Sequence, residues 1–200
     1  NVVDNQLLGA GRLDVIVQAE GNEAFKTIDV FNAMREYTKK AMQHPDIEGV
    51  QYMSVPVEMM HRVFHQDGSE VPKSSEALEQ EVLFLEFSRG EDKTDVLSSV
   101  VDFNYQNSRI EFITNQLPTS KIKGLVHYLK ETFSSWPFGD VVITGGQFLS
   151  YVLGHYVLQS QAITVGVTLA FVWVLFISLF GMRLGSIGMI PNIIPMILTL

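Results

Sequence analysis

The chain has 200 residues and no cysteine, so disulfides and thiolate metal centres are excluded. Its formal net charge of −8, from 22 acidic against 14 basic residues, is spread rather than run together and gives no basic patch for nucleic acid. A mean hydropathy of +0.17 averages two unlike parts, because Asp140 is the last acidic residue and Arg183 the only formal charge after it.

The polar first part is long enough to bury a core of its own, domains of roughly 100 to 150 residues being the commonest size. Leu13, Val15 and Val17 alternate with Asp14, Ile16 and Gln18 between Gly11 and Gly21, which predicts a strand. Thr27 to Gln43 places Phe31, Met34, Tyr37 or Thr38, and Ala41 at three-to-four spacing, with Lys39 and Lys40 where the helix dipole favours cations, and predicts a helix. Gly49 to Ser54 reads as a second strand, completing a β-α-β unit. Pro56 to Phe64 and Ser74 to Phe87 read as helices, the second with Ser74 or Ser75 as cap and Leu78, Val82 and Leu85 as its stripe. Val96 to Tyr105 and Arg109 to Thr114 are predicted strands, followed by a helix over Thr119 to Phe133 and a strand over Asp140 to Thr144. The two halves together predict an α+β fold of ferredoxin-like character, with helices over a mainly antiparallel sheet.

Beyond this domain, Gly146 to Gln161 mixes Phe148, Tyr151, Val152, Tyr156 and Leu158 with polar residues and reads as an amphipathic lead-in at a bilayer interface. Ala162 to Met182 carries no charge on any face and, at 1.5 Å per residue, reaches about 30 Å, the thickness of a bilayer core. Gly181 to Gly185 reads as a tight turn into a second, truncated span that contains Pro191, Asn192 and Pro195. Expected organisation is therefore 1–147 for the α+β domain, 148–182 for the lead-in and first span, and 186–200 for the start of the second span. With Asn1-Val2-Val3-Asp4 at its head and neither methionine nor leader, the chain reads as a fragment. Arg183 in the short turn points to the cytoplasmic side, which makes the α+β domain extracytoplasmic. Gly166 with Ala170, and Gly181 with Gly185, have the spacing that permits close helix packing, and self-association is left open.

Few side chains suggest chemistry. Glu58, His61 and His65 are three and four apart on one predicted helix, but lack the His-Glu-x-x-His spacing and a fourth ligand, so a solvated face is the preferred reading and no metal is expected. Gly9-Ala10-Gly11 precedes its strand instead of following it, which rejects a dinucleotide loop. No nucleophile elbow, phosphate loop or Ser-His-Asp order stands out, so neither enzymatic activity nor a cofactor is expected. Phe64, Tyr105, Trp136 and Phe138 are core residues or the lining of a path for an apolar cargo, and Trp136-Pro137-Phe138 is alternatively a contact with the membrane surface.

The order of a polar domain, Val142-Ile143-Thr144-Gly145-Gly146, an amphipathic Tyr151 to Gln161 stretch, a span, and Arg183-Leu184-Gly185 leading into Ile190-Pro191-Asn192-Ile193-Ile194-Pro195 resembles the resistance-nodulation-division superfamily, specifically its MmpL-like predicted exporters related to hopanoid transporters. Leu83 to Asp92 and Asp102-Phe103-Asn104-Tyr105 to Arg109-Ile110 look like the loop segment such proteins carry in their second half. The resemblance implies a periplasmic porter-type domain followed by helices of a multi-pass bacterial inner-membrane protein. It further implies a proton-driven exporter of hydrophobic or amphiphilic, lipid-like molecules, partnered by the bilayer and by the remaining spans of a parent chain. The rival is a membrane-anchored ligand-binding or sensing module without transport activity.

Overall fold

The computed structural model describes residues 11–64, 71–87, 97–189 and 191. They form an α+β structure with one four-stranded sheet, in the order β1 (Gly11–Gln18), α1 (Ile28–Ala41), β2 (Ile47–Gln51), α2 (Ser54–Phe64), α3 (Ser75–Phe87), β3 (Asn107–Thr114), α4 (Thr119–Phe133), β4 (Val141–Thr144) and α5 (Gly146–Gly188), with a 3-10 turn at Ala24–Lys26. The chain divides into two compact units, Asn1–Tyr151 and Val152–Leu200.

In the first unit the strands lie in the order β2-β3-β1-β4, and every neighbouring pair is antiparallel. Strand β1 is central because its alternation supplies an apolar row with two partners: Leu13 opposite Phe112, and Val15 opposite both Ile110 and Ile143. That row faces the core, where α1 contributes Val30, Phe31, Met34 and Ala41, and α4 contributes Ile122, Leu125, Val126, Leu129 and Phe133. Phe25, Phe31 and Phe112 are fully buried, and each such side chain contributes roughly 1.5 to 3 kcal/mol by leaving water. Trp136 closes one end of this core: its indole N–H donates to the Gln18 carbonyl at 2.7 Å, and its ring meets those of Tyr37 and Phe138 edge-on at 5.5 and 5.3 Å.

The opposite face of the sheet mixes Ile16, Ile113 and Val142 with charged residues, and one of its pairings is electrostatically awkward. Asp14 and Glu111 are direct cross-strand partners, a like-charge pair that would repel across an open sheet. Two arginines resolve it. Arg12 reaches Glu111 at 2.8 Å, and Arg109 lies 3.2 Å from both Asp14 and Glu111. Arg109→Ala is expected to lower stability by about 1 kcal/mol by leaving the carboxylates facing one another, and the deficit should shrink as salt screens them. Thermal midpoints of both proteins at low and high salt check this; a deficit independent of salt would assign the loss to packing.

Two expected elements differ. The strand expected over Val96 to Tyr105 is, from residue 97 on, a turn carrying one isolated bridge from Val101 to Ser108. Asp102 is the reason. Its carboxylate accepts from the backbone N–H groups of Gln106 at 2.8 Å and Asn107 at 2.9 Å, and from the Asn107 side chain at 2.9 Å, so it holds a loop. Tyr105 sits in that loop at φ 53, a left-handed conformation foreign to a strand. The strand expected at Gly49 to Ser54 is Ile47–Gln51, with a register irregularity between Ile47 and Gly49, because Ser54 already opens α2.

Burial raises the Asp102 carboxyl, but the hydrogen bonds from Asn107 and Gln106 outweigh it and leave the group below its ordinary value of 3.8. A lowered folded-state value means that this stabilisation is present above the unfolded value and is lost as pH falls through the folded one. The amide shifts of Gln106 and Asn107 should therefore titrate with a midpoint under 3.8, and a midpoint at or above it would contradict the loop assignment.

Candidate functional site

Among the described residues one helix, α5, is long and apolar enough to cross a membrane, and none of its most apolar stretch is buried within the protein. It is held at its start by a constrained junction within the first unit. Gly145 joins β4 to α5 at φ +106, and a Cβ placed there would lie 2.8 Å from the Asp14 nitrogen and 3.0 Å from the Arg12 carbonyl oxygen. Only glycine fits both the angle and the approach. One residue into α5, Gln147 donates to the Asn115 carbonyl and accepts from the Thr114 hydroxyl, both at 3.0 Å. Gly11 is the first residue of β1, where a Cβ would collide with the Gln147 side chain, so its glycine serves packing.

Within the second unit, α5 is interrupted at Gly181, whose φ of 76 and ψ of 167 lie outside any helix. The chain then doubles back. Residues eight or nine apart in a straight helix are about 12 to 14 Å apart, yet a Cβ on Gly185 would lie 2.8 Å from the Ile177 nitrogen and the Phe176 carbonyl. Gly188 likewise faces the Phe176 ring, Ser186 donates to the Met182 carbonyl at 2.9 Å, and the Trp173 indole N–H approaches the Ser186 hydroxyl at 3.4 Å. The turn expected over Gly181 to Gly185 is instead a break at Gly181 alone, after which the chain is helical again to Gly188: Gly181 supplies the backbone angle and Gly185 the close approach.

The other singled-out residues of this segment are not brought together. Arg183 is exposed just after the turn, Gly166 and Ala170 lie on an exposed side of α5, and no atom other than its own helix's backbone comes within 4 Å of a Cβ built on Gly166. Pro191 is exposed, and Asn192 and Pro195 lie outside the described residues.

The histidine-carboxylate helix face dissolves into separate structural pairs. Glu58 accepts from Ser54 at 2.7 Å and from Arg35 at 3.0 Å, tying α2 to α1. His61 is buried and shares a 2.5 Å hydrogen bond with Glu81 of α3, while His65 lies outside the described residues. Among the described residues no three His, Asp or Glu side chains converge as metal ligands. The His61–Glu81 pair escaped the sequence reading because Glu81 was not placed on the stripe of α3; its spacing of three from Leu78 would have revealed it. Of the four aromatic residues considered for a cargo path, Trp136 and Tyr105 are buried in the core, Phe138 packs against it, and Phe64 is exposed with its ring 5.2 Å from that of Phe84.

No family model matches the chain, and no curated protein matches it.

Proposed function

We propose that the chain is a piece of a proton-driven membrane transporter of the resistance-nodulation-division type, which moves hydrophobic or amphiphilic molecules across a bacterial inner membrane. The observation that carries this reading is a combination. Two β-α-β halves interleave into the order β2-β3-β1-β4, which supports a ferredoxin-like porter-type domain, and a single residue, Gly145, separates the last strand from a long apolar helix. A tight glycine turn follows in that apolar segment with one basic residue beside it, which supports a helical hairpin with its turn on the cytoplasmic side and the α+β domain in the periplasm. The coupling residues of such a transporter lie in intramembrane helices, and the described part of α5 contains no carboxylate.

The test is flux through the full-length parent protein in proteoliposomes, with a fluorescent amphiphile and an imposed pH gradient. Movement that requires the gradient and stops with an uncoupler is the expected outcome. Gradient-independent binding without movement would sink the transporter reading in favour of a membrane-anchored binding or sensing module.

A further inference from the structure

The two edges of the sheet are finished differently. Edge strand β2 carries a register irregularity between Ile47 and Gly49 and the exposed charge of Glu48, devices that keep an edge from accepting another strand. At the other edge β4 is regular from Val141 to Thr144, with no charge, proline or bulge. Its backbone polarity follows from the ladder with β1. Gln18 donates to the Asp140 carbonyl at 2.9 Å and Glu20 to the Phe138 carbonyl at 3.0 Å, so the even-numbered residues turn their N–H and C=O groups towards β1, and Val141 and Ile143 turn theirs outward. Among the described residues nothing hydrogen-bonds to that outward row. Beside it, on the core face, a recess of about 280 Å³ opens between Val141, Ile143 and the C-terminal end of α4 at Phe133 and Ser134. On the other face Val142 is 52% exposed.

An open row of donors and acceptors with an apolar groove along it is what an added strand requires. The sequence of β4 selects that strand. Placed antiparallel to its own copy about a twofold axis at Val142, each Val141 meets an Ile143 and exchanges both backbone bonds with it, while the two Val142 side chains cover one another. Asp140 falls opposite Thr144 of the copy instead of a second aspartate, so no like charges meet, and the core-facing side chains of the added strand enter the recess. We infer that β4 is the contact through which two copies of this chain join, fusing their four-stranded sheets into one. The contact engages only the first unit, so it stands or falls independently of transport. A strand this short makes a contact that dissociates readily, and a covalent trap is the way to read it.

The chain has no cysteine, so a single one reports on this contact alone. Facing residues of a non-hydrogen-bonded antiparallel pair have Cα atoms about 4.5 Å apart, within the range of about 4.4 to 6.8 Å that a disulfide bridges. Val142→Cys in the whole chain, reconstituted in zwitterionic liposomes and oxidised with copper phenanthroline, is expected to give a disulfide-linked dimer at roughly ten times the yield of Gln51→Cys, an exposed position on the β2 edge. Val141→Pro added to Val142→Cys removes an outward N–H while leaving the bonds to β1 in place, and should cut the yield several-fold. Equal yields from the two cysteines, or a yield indifferent to Val141→Pro, would overturn the assignment. Protection of the Val141 and Ile143 amides from exchange in a Val142→Cys chain that stays monomeric would overturn it too, and give the edge to a different strand. Val142 is half exposed, so its cysteine variant folds and the comparison with Gln51→Cys decides even if Val141→Pro does not fold.

Discussion

Gly145→Ala is expected to cost the α+β domain about 3 kcal/mol, a large share of the roughly 5 to 15 kcal/mol that holds a typical domain folded. Two penalties coincide at this position. The φ of +106 is strained for any residue with a side chain, and the new methyl would press on backbone atoms of Arg12 and Asp14 that belong to the central strand. Backbone in the middle of a sheet cannot swing aside as the tip of a lysine would, so β1 and β4 must separate where Asp14 pairs with Thr144. Native-state hydrogen exchange of the β1 and β3 amides reads the loss directly. Gly124→Ala is the matching control: Gly124 lies exposed inside α4 with open space around it, and alanine there should stabilise by about 0.5 to 1 kcal/mol. If both substitutions change protection by the same amount and sign, the Gly145 junction is not the constrained point described above.

Ala170→Arg should prevent stable insertion of α5. The position is exposed on the helix, about halfway along its uncharged stretch, and an arginine at mid-membrane costs about 2.5 to 3.5 kcal/mol on insertion scales. Glycosylation mapping of the variant, with acceptor sites placed on each side of the segment, gives the inserted fraction. A fraction equal to that of the parent sequence would remove α5 from consideration as a span and, with it, the transporter reading.

The elements of the first unit were legible wherever one residue period dominated. The alternation of Leu13, Val15 and Val17 located β1, and the stripes Phe31-Met34-Ala41 and Leu78-Val82 located α1 and α3, because a side chain facing a core must recur with its element's period. The loop from 97 to 105 was illegible because Val100, Val101 and Tyr105 are apolar at strand-like density yet owe their burial to a turn. What decided the conformation was the Asp102 carboxylate capturing two backbone amides, a local competition that hydropathy does not register. The cluster of Lys26 with Glu23, Glu86 and Tyr105 was illegible for a different reason. Glu23, Glu86 and Tyr105 are far apart in the chain, and only the packing of the 3-10 turn against α3 brings them to one place. At the glycine turn, by contrast, Gly181 and Gly185 were visible as a pair, although which one bends the chain and which one receives Phe176 required coordinates.

The strand order β2-β3-β1-β4 also bears on how this protein is made. Val17, in the first of the four strands in chain order, pairs with Ser108 on one side and Val141 on the other, so β1 must wait for most of the domain before either neighbour exists. Pairings so distant in sequence close slowly. The last of them arrives with β4, which emerges directly ahead of the most apolar segment of the chain. The nascent sheet is therefore completed only as that segment is itself being delivered, and until then both edges of its central strand are open to pairing with other chains. Shielding of β1 over that interval therefore guards the nascent chain against pairing with its neighbours.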